Sequence, residues 1–493
     1  MLFNSFEFIF IFLPVVLYVF FKLGRYNQHI AAAWLGAASL FFYAWWNPIY
    51  VSLLMASIIF NYIIGICIAN FFTLNNIKLR KLTLFFGVVS NIILLGYFKY
   101  FNFFATSLTT SLGINYQINT IILPLGISFF TFTQIAFLVD VSRGLAREFN
   151  LIHYIVFVTY FPHLIAGPVL HHKEMMPQFQ KKDIYSFNYQ CFAIGLTIFI
   201  IGLFKKVMLA DEMIKYVKPV FESAANGNTL SFKESWGAAL SYTLQLYFDF
   251  SGYSDMAIGI SRMFGIILPL NFNSPYKAVN IIDFWRRWHM TLSRFLRDYL
   301  YIPLGGNRKG VLRKHVNLMT TMVLGGLWHG AGWNFVVWGG LHGLYLIINH
   351  LWHGIRNKLG HDLNKSSFVG RLSSCFITFI AVVFAWVIFR ADKIQTGFSI
   401  TESMLGINGF GFTGRFQLSM IGKLLLIAWL LPNTQQIMAK YEPAFIIYEK
   451  DFSSTVKWFE WRPSLIWMIL IFILASQSIL KGDDSSEFLY FQF

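Results

Sequence analysis

Long apolar runs follow one another along the whole chain, and short polar stretches separate them. Eight runs approach or reach the roughly 20 residues that an α-helix needs to cross a bilayer; they cover residues 8–21, 30–46, 49–69, 82–98, 118–139, 191–203, 372–389 and 465–480. Several shorter apolar runs are typical of tilted or re-entrant helices. We therefore predict an all-α, polytopic membrane protein with roughly eleven to thirteen transmembrane helices, together with short interfacial or re-entrant helices.

The composition of the chain agrees with this pattern. Hydrophobic residues make up 56% of the chain and charged residues only 13%, whereas soluble domains carry about 25% charged residues. The first apolar run begins almost at Met1 and has no basic leader, which is typical of an uncleaved first helix. Because no linker rich in serine, proline or glycine divides the chain, we predict a single integral membrane domain over residues 1–493.

The net charge is +16, and the basic residues cluster between the apolar runs. One block spans residues 286–314 and holds eight of them: Arg286, Arg287, Arg294, Arg297, Arg308, Lys309, Arg313 and Lys314. Short loops rich in lysine and arginine stay in the cytoplasm, so this block and the cluster at 78–81 are predicted to be cytoplasmic. Contact with anionic membrane lipid is one interpretation of most such clusters. Nucleic-acid binding is not expected, because the basic residues flank membrane helices.

Two histidines in mostly apolar sequence are the strongest candidates for chemistry. His289 ends the stretch 284–289, and His329 lies between two glycine pairs in the stretch 325–332. An ionisable group at membrane depth is costly unless it lines a cavity, and histidine takes and returns a proton near neutral pH. We predict that His289 and His329 are catalytic. His342 is the weaker candidate, because it adjoins no basic cluster, and a satisfied core histidine is the competing interpretation for His329.

The segment 281–300 is predicted to be one amphipathic helix, because its apolar residues recur at spacings of three and four. An interfacial anchor is one interpretation; the other is a site for anionic phosphate groups, which arginine binds well. The spacing predicts i,i+4 ion pairs between Asp283 and Arg287 and between Arg294 and Asp298. The substrate-binding residues that we predict are Trp285, Arg287, Arg294, Arg297, Trp328 and Asn334.

Two carboxylates, Asp249 and Asp255, interrupt another apolar run. Their six-residue spacing puts them on different faces of a helix, so a catalytic dyad is not expected. We predict a structural role, with pairing to an arginine, tyrosine or histidine; a role in orienting a catalytic histidine is the alternative. The three cysteines are widely spaced in apolar sequence, and neither a metal site nor a disulfide framework is predicted.

An ordered set of motifs extends across most of the chain. It comprises residues 123–132, 161–169, 247–257, 284–289, 297–308, 326–331 and 386–391. Together these motifs resemble the membrane-bound O-acyltransferase family, and within it the bacterial alginate O-acetyltransferase branch. The resemblance implies a cone-shaped helical bundle with a tunnel and short cytosolic helices around its entrance. It also implies that His329 matches the family's essential histidine, whereas many eukaryotic relatives carry asparagine or aspartate at the position of His289.

The resemblance further implies an activity. A member of this branch takes an acetyl group from cytosolic acetyl-CoA, a donor substrate rather than a permanently bound cofactor. It passes the group across the bacterial cytoplasmic (inner) membrane for O-acetylation of an exported polysaccharide, such as an alginate-like exopolysaccharide or peptidoglycan. A periplasmic SGNH-type acetyltransferase is the expected partner. Direct transfer and a transient acyl-histidine both remain open.

Two rival functions belong to other classes of protein. A transporter or flippase of a cell-envelope polysaccharide precursor would use the aspartates and histidines as a proton relay, and inverted repeats would favour it. A non-catalytic scaffold of a secretion complex predicts that replacement of His329 leaves activity intact.

Overall fold

The structure, a computed structural model, describes residues 1–113, 120–146, 148–363, 365–411, 417–445, 457–482 and 488–489. Helices are the regular structure of these residues, and their only β contact is a single bridge between Pro269 and Phe445. The predicted all-α class is therefore confirmed.

The described residues in the first third of the chain form seven helices: α1 (Leu13–Gly24), α2 (Gln28–Ala44), α3 (Ile49–Thr73), α4 (Ile77–Leu95), α5 (Phe101–Leu112), α6 (Ile127–Ser142) and α7 (Leu151–Thr159). π-helical segments at Glu7–Phe12 and Gly96–Tyr100 extend α1 and join α4 to α5. Asparagines begin several of these helices. The side chains of Asn27 and Asn76 accept hydrogen bonds from the first free backbone N–H groups of α2 and α4, which stabilises both helix starts.

The middle third holds α8 (Phe161–Leu164), α9 (His172–Phe179), α10 (Tyr189–Phe204), α11 (Asp211–Ala225), α12 (Phe232–Met263), α13 (Ile281–Trp285) and α14 (Met290–Leu296). Short 3₁₀ segments lie at Lys182–Tyr185 and Pro275–Lys277, and π segments at Lys205–Ala210 and Arg297–Tyr301. The 32-residue helix α12 is buried along most of its length and forms the centre of the bundle. Ser231 and Glu234 form a capping box at its start, which satisfies two backbone N–H groups.

The last third comprises α15 (Gly310–His329), α16 (Trp333–Lys358), α17 (Phe368–Arg390), α18 (Ile394–Met404), α19 (Leu418–Leu430), α20 (Thr434–Ile437) and α21 (Leu465–Leu480). Two 3₁₀ segments, Ala439–Tyr441 and Lys457–Phe459, complete the described elements. Helices α15 and α16 form a tight antiparallel pair. The two backbones lie so close together that a Cβ at Gly339 would be only 2.4 Å from the Met322 carbonyl oxygen. Glycine permits this close approach of two backbones.

Among the residues that the structure describes, five segments are long and apolar enough to cross a membrane: Glu7–Gly24, Ile49–Thr73, Ile77–Leu112, Tyr189–Ala225 and Phe368–Arg390. Helices α6, α19 and α21 are apolar but shorter. Five is fewer than the eleven to thirteen spans that we predict from the apolar runs. The difference has a physical reason: long helices such as α12 carry polar side chains that other helices bury, so apolarity alone does not select them.

The two carboxylates of α12 hold neighbouring segments through buried ion pairs. The Asp249 carboxylate lies 2.8 Å from the Lys206 ammonium, which also pairs with Asp211. Asp255 pairs with Lys205 at 2.8 Å and accepts a hydrogen bond from Thr434. The partners of the two aspartates are thus lysines and not the arginine, tyrosine or histidine that we predict. The reason is that the π segment Lys205–Ala210 lies against α12.

Basic clusters from distant parts of the chain lie at one end of the bundle. The end of α1 packs on the segment Lys182–Tyr185, so that a Cβ at Gly24 would lie 2.5 Å from the Tyr185 carbonyl oxygen. At the start of α4, the Arg80 guanidinium lies 5.0 Å from the centre of the Phe72 ring at the end of α3. The basic residues that follow α1 therefore lie beside those that flank 182–185, and those that open α4 lie beside the end of α3.

The block 286–314 joins the same end. The Arg143 guanidinium, just after α6, lies 5.6 Å from the ring of Tyr299, whose hydroxyl is 3.0 Å from His171 Nδ1. Helix α15 begins within this block, at Gly310, and its antiparallel partner α16 ends on the same side. We call this end, formed by the ends of α1, α3, α6 and α16 and the starts of α4 and α15, the basic face, and the opposite end the far face.

Candidate active site

The segment 281–300 is not one helix, and this prediction is wrong. Helix α13 ends at Trp285 and α14 begins at Met290. Backbone bonds to a distant segment replace the helical ones: the Met290 N–H donates to the Asn271 carbonyl at 3.0 Å, and the Arg287 carbonyl accepts from Asn273 at 2.9 Å. His289 therefore lies at a break between two helices rather than on a helix face.

The backbone of His289 is strained, and its side chain is fully buried. Its φ of 44° and ψ of 53° lie in the left-handed region, which non-glycine residues rarely adopt and which costs about 1–3 kcal/mol. Such strain persists only where surrounding contacts enforce it. At His289 it directs the imidazole inward from the helix break.

Asn271 determines which ring nitrogen of His289 carries hydrogen. The Asn271 Oδ1 lies 3.1 Å from His289 Nδ1 and accepts from the Thr291 hydroxyl at 2.9 Å and the Thr291 backbone N–H at 3.4 Å. Because a backbone N–H only donates, this atom is the amide oxygen, and Nδ1 must carry the hydrogen. Nε2 of the neutral ring then keeps the lone pair that a general base needs.

The fold brings His329 close to His289, although forty residues separate them in the sequence. The ring centroids lie 6.4 Å apart at an angle of 54°. His329 is the last residue of α15, and the chain turns away at Gly330, where a Cβ would lie 2.0 Å from the Phe335 ring. The structure thus places the two predicted catalytic residues in one buried centre.

Aromatic rings enclose this centre. Trp328 lies against both histidines, with ring centroids 6.0 Å from His289 and 5.0 Å from His329. Trp338 and Phe389 lie 5.0 and 5.4 Å from His329. Such walls exclude water and strengthen polar interactions inside the site.

Lys99 and Tyr100 hold the end of α15, and the sequence analysis did not identify them. The Lys99 ammonium donates to the carbonyls of Trp328 at 2.5 Å and His329 at 3.2 Å, while the Tyr100 hydroxyl donates to the Leu327 carbonyl at 2.7 Å. The last carbonyls of a helix have no partner within it, and a positive charge is favoured there. A lone lysine in the apolar run 96–104 was the available signal.

The histidine centre is far from the basic face. His329 is the twentieth residue of α15, which corresponds to roughly 28 Å along the helix axis. Lys99 follows the start of α4 by 22 residues, or about 33 Å at the same rise. Both distances are measured along helices that begin at the basic face. Both therefore place the histidine centre near the far face.

Other predicted substrate-binding residues have different surroundings. The Trp285 ring packs on Trp338 and His342, at centroid distances of 5.9 and 5.1 Å, one ring removed from His329. The Asn334 amide donates to the Ala391 carbonyl at 2.9 Å and ties the start of α16 to the end of α17. The binding roles of Trp285, Trp328 and Asn334 stay predictions.

The arginines of the segment are largely engaged with carboxylates. Arg287 pairs with Asp283 at 2.8 Å, as the spacing predicts. Arg294 instead makes a two-pronged contact with Glu174 of α9, so its predicted pairing with Asp298 is wrong. The π segment Arg297–Tyr301 changes the alignment of residues 294 and 298, and Asp298 pairs with its neighbour Arg297 at 2.7 Å.

Comparison with known proteins decides the family. The family model "MBOAT, membrane-bound O-acyltransferase family" matches residues 82–385, more than half of the 493 residues. The chain belongs to this family. The match contains both histidines and Lys99, so the centre described above lies within the family's shared region.

Individual relatives share much of the length of this acyltransferase. The chain is 45% identical to a peptidoglycan O-acetyltransferase of Helicobacter pylori, over 83% of this chain and 80% of the relative. It is 38% identical to the probable alginate O-acetylase AlgI of Pseudomonas aeruginosa, over the full length of both. A teichoic acid D-alanyltransferase of Streptococcus thermophilus is 28% identical over 54% of this chain. The enzyme is an O-acyltransferase.

Asn271 is expected to act as a positioning residue. Asn271→Leu keeps the side-chain size but removes the acceptor of the His289 Nδ1 hydrogen, so turnover should fall on the order of 10²-fold with little change in KM. Asn271→Asp is the matched control, because its carboxylate still accepts from His289 and Thr291, and it should restore most of the turnover. Acyl-transfer kinetics per folded molecule test this, and wild-type turnover in the leucine variant would contradict it.

Proposed function

We propose that the protein takes an acetyl group from acetyl-CoA and passes it across the cytoplasmic membrane for O-acetylation of an exported polysaccharide. The observation that carries this proposal is the buried pair of His289 and His329, whose ring centroids lie 6.4 Å apart. The names of the relatives support the acetyl group and a polysaccharide acceptor.

The chemistry follows from the histidine pair. One imidazole removes the proton of the acceptor hydroxyl, the hydroxyl oxygen forms a bond to the acetyl carbonyl carbon, and the carbon–sulfur bond of the thioester breaks. The proton leaves with the thiol of coenzyme A. His329 is the base in this proposal, and His289 orients the substrate or relays the proton. A transient acetyl-histidine would divide the same transfer into two steps.

The proposal assigns the basic face to the cytosol, because lysine and arginine collect on the cytoplasmic side of membrane proteins. The donor then enters at the basic face, and the acetyl group travels most of the membrane thickness before it reaches His329. The acceptor, or a periplasmic SGNH-type acetyltransferase that carries the group onward, approaches from the far face. Trp333, which is 57% exposed just after the His329 turn, marks that side.

The acceptor can be determined in cells. In a strain that lacks the gene, we expect base-labile acetate to disappear from peptidoglycan or from the secreted polysaccharide, and the affected fraction identifies the acceptor. The amount of polymer should stay unchanged, since acetylation follows synthesis. Loss of the polymer itself would instead indicate a transporter of its precursor, and unchanged acetate in both fractions would contradict the proposal.

The proposed orientation of the protein in the membrane can be tested by cysteine labelling. A cysteine introduced at Arg308, after replacement of Cys67, Cys191 and Cys375, should resist a membrane-impermeant thiol reagent in intact cells and react after lysis. A second cysteine at Trp333, on the far face, should react in intact cells. Labelling of position 308 before lysis would invert the proposed orientation.

A further inference from the structure

A cavity of about 380 Å³ lies at the basic face between the last turns of α16 and the first turns of α17. Arg356 and His353 of α16 and Arg371 of α17 line it, together with residues 279–281 at the start of α13. It is a pocket rather than a surface groove on one helix, because three separate segments contribute to its walls.

The charge of this cavity suits an anion. No acidic side chain is among the described residues that line it. Neither Arg356 nor Arg371 forms an ion pair within the described part of the chain, whereas Arg287 and Arg294 contact Asp283 and Glu174. Guanidinium groups bind phosphate through two parallel hydrogen bonds, and a concave site of one sign attracts counter-charged ligands.

Uncharged polar groups complete the lining. Asn349, Ser374 and Thr378 face the cavity alongside the arginines. The Asn349 amide nitrogen is buried and, among the described residues, has no hydrogen-bond partner. Buried donors are normally satisfied, so this amide is available to an acceptor atom of a ligand. A nucleotide carries such acceptors beside its phosphates.

A continuous row of rings joins the cavity to the histidine centre. Tyr345 lines the cavity and lies 5.7 Å from His342, His342 lies 4.8 Å from Trp338, and Trp338 lies 5.0 Å from His329. Tyr345 and Trp338 are separated by seven residues of α16, roughly 10 Å along its axis. The cavity and His329 therefore lie along the same side of α16, with packed rings between them.

We infer that this cavity binds the phosphate-bearing end of the acyl donor, a nucleotide thioester of the coenzyme A class. The inference rests on the proposed function and assigns the donor phosphates to Arg356 and Arg371 rather than to Arg287, Arg294 and Arg297. Anionic lipid headgroups offer the same phosphate chemistry, and Trp352, which lines the cavity, is 55% exposed.

The test measures equilibrium binding of radiolabelled coenzyme A to the full chain in nanodiscs of phosphatidylcholine. Arg356→Gln and Arg371→Gln should each raise the Kd about tenfold or more, since each removes a charge-assisted contact. Lys358→Gln is the matched control: it lies two residues beyond Arg356 on the same helix, is exposed and does not line the cavity. Arg356→Lys, which keeps the charge, should recover part of the affinity. Thermal unfolding verifies that each variant is folded.

The experiment measures coenzyme A binding and not acetyl transfer. Failure of the proposed cavity site can therefore be distinguished from failure of the proposed function. An unchanged Kd in both folded arginine variants would overturn the site even if the wild type transfers acetyl groups. Nanodiscs that contain phosphatidylglycerol form the second arm. If that lipid stabilises the wild type through Arg356 and Arg371 while coenzyme A does not bind there, the cavity is a lipid site and the inference is wrong.

Discussion

Replacing His329 by alanine is expected to reduce acyl transfer on the order of 10²–10⁴-fold, the contribution typical of general acid–base catalysis. The variant removes the imidazole from a centre that aromatic rings close to water, so no solvent base can take its place. Turnover per folded molecule measures this effect in vitro. In cells, the amount of base-labile acetate on the polysaccharide measures it. His289→Ala should also impair transfer strongly, because the two rings share the centre.

The control is another buried histidine. The His163 imidazole bonds the Phe157 carbonyl at 2.8 Å, away from the centre. His163→Gln should lower the melting temperature but leave turnover per folded molecule near the wild-type value. Near-normal transfer in the His329 variant would exclude its catalytic role and favour a scaffold.

Lys99→Met is expected to have the second-largest effect. The side chain keeps its length but loses the ammonium that donates to the carbonyls of Trp328 and His329 and to the Ser128 hydroxyl. Without this cap the end of α15 can shift, and a displacement of about 1 Å is enough to cost on the order of 10²-fold in turnover. KM should change little, since the variant moves a catalytic group rather than a binding group.

A graded pair of variants separates positioning from general stability. Tyr100→Phe removes one neutral hydrogen bond to the Leu327 carbonyl, so its effect on turnover should be clearly smaller. Lys205→Met breaks a different buried pair, with Asp255, and should lower folded yield without a selective loss of turnover. Full turnover in folded Lys99→Met would contradict a positioning role for Lys99.

The parts of the site that local sequence determines were predictable. The two histidines were identifiable because an ionisable group in apolar sequence is unusual in any fold. The Asp283–Arg287 pair follows from the spacing of the two residues within about one helical turn. The apolar runs likewise indicated the helices. Each of these inferences needs only residues that lie close together in the chain.

The remaining parts depend on contacts between distant segments. Periodicity predicts one helix over 281–300, but backbone bonds from Asn271 and Asn273 end α13 before His289. Lys99 and His329 are 230 residues apart, and Arg294 reaches Glu174 across 120 residues. No local pattern encodes such partners, so the helix cap, the tautomer and the ion-pair network become visible only in the folded chain.

The central claim is that the donor enters at the basic face, that this face is cytosolic, and that transfer passes through the histidine centre toward the far face. Membrane vesicles of both orientations, supplied externally with radiolabelled acetyl-CoA, test it most directly, with the His329→Ala protein as the blank. We expect label in polysaccharide only in inside-out vesicles, whose cytosolic face is exposed to the donor. Equal labelling in sealed right-side-out vesicles, or His329-independent labelling, would contradict the account.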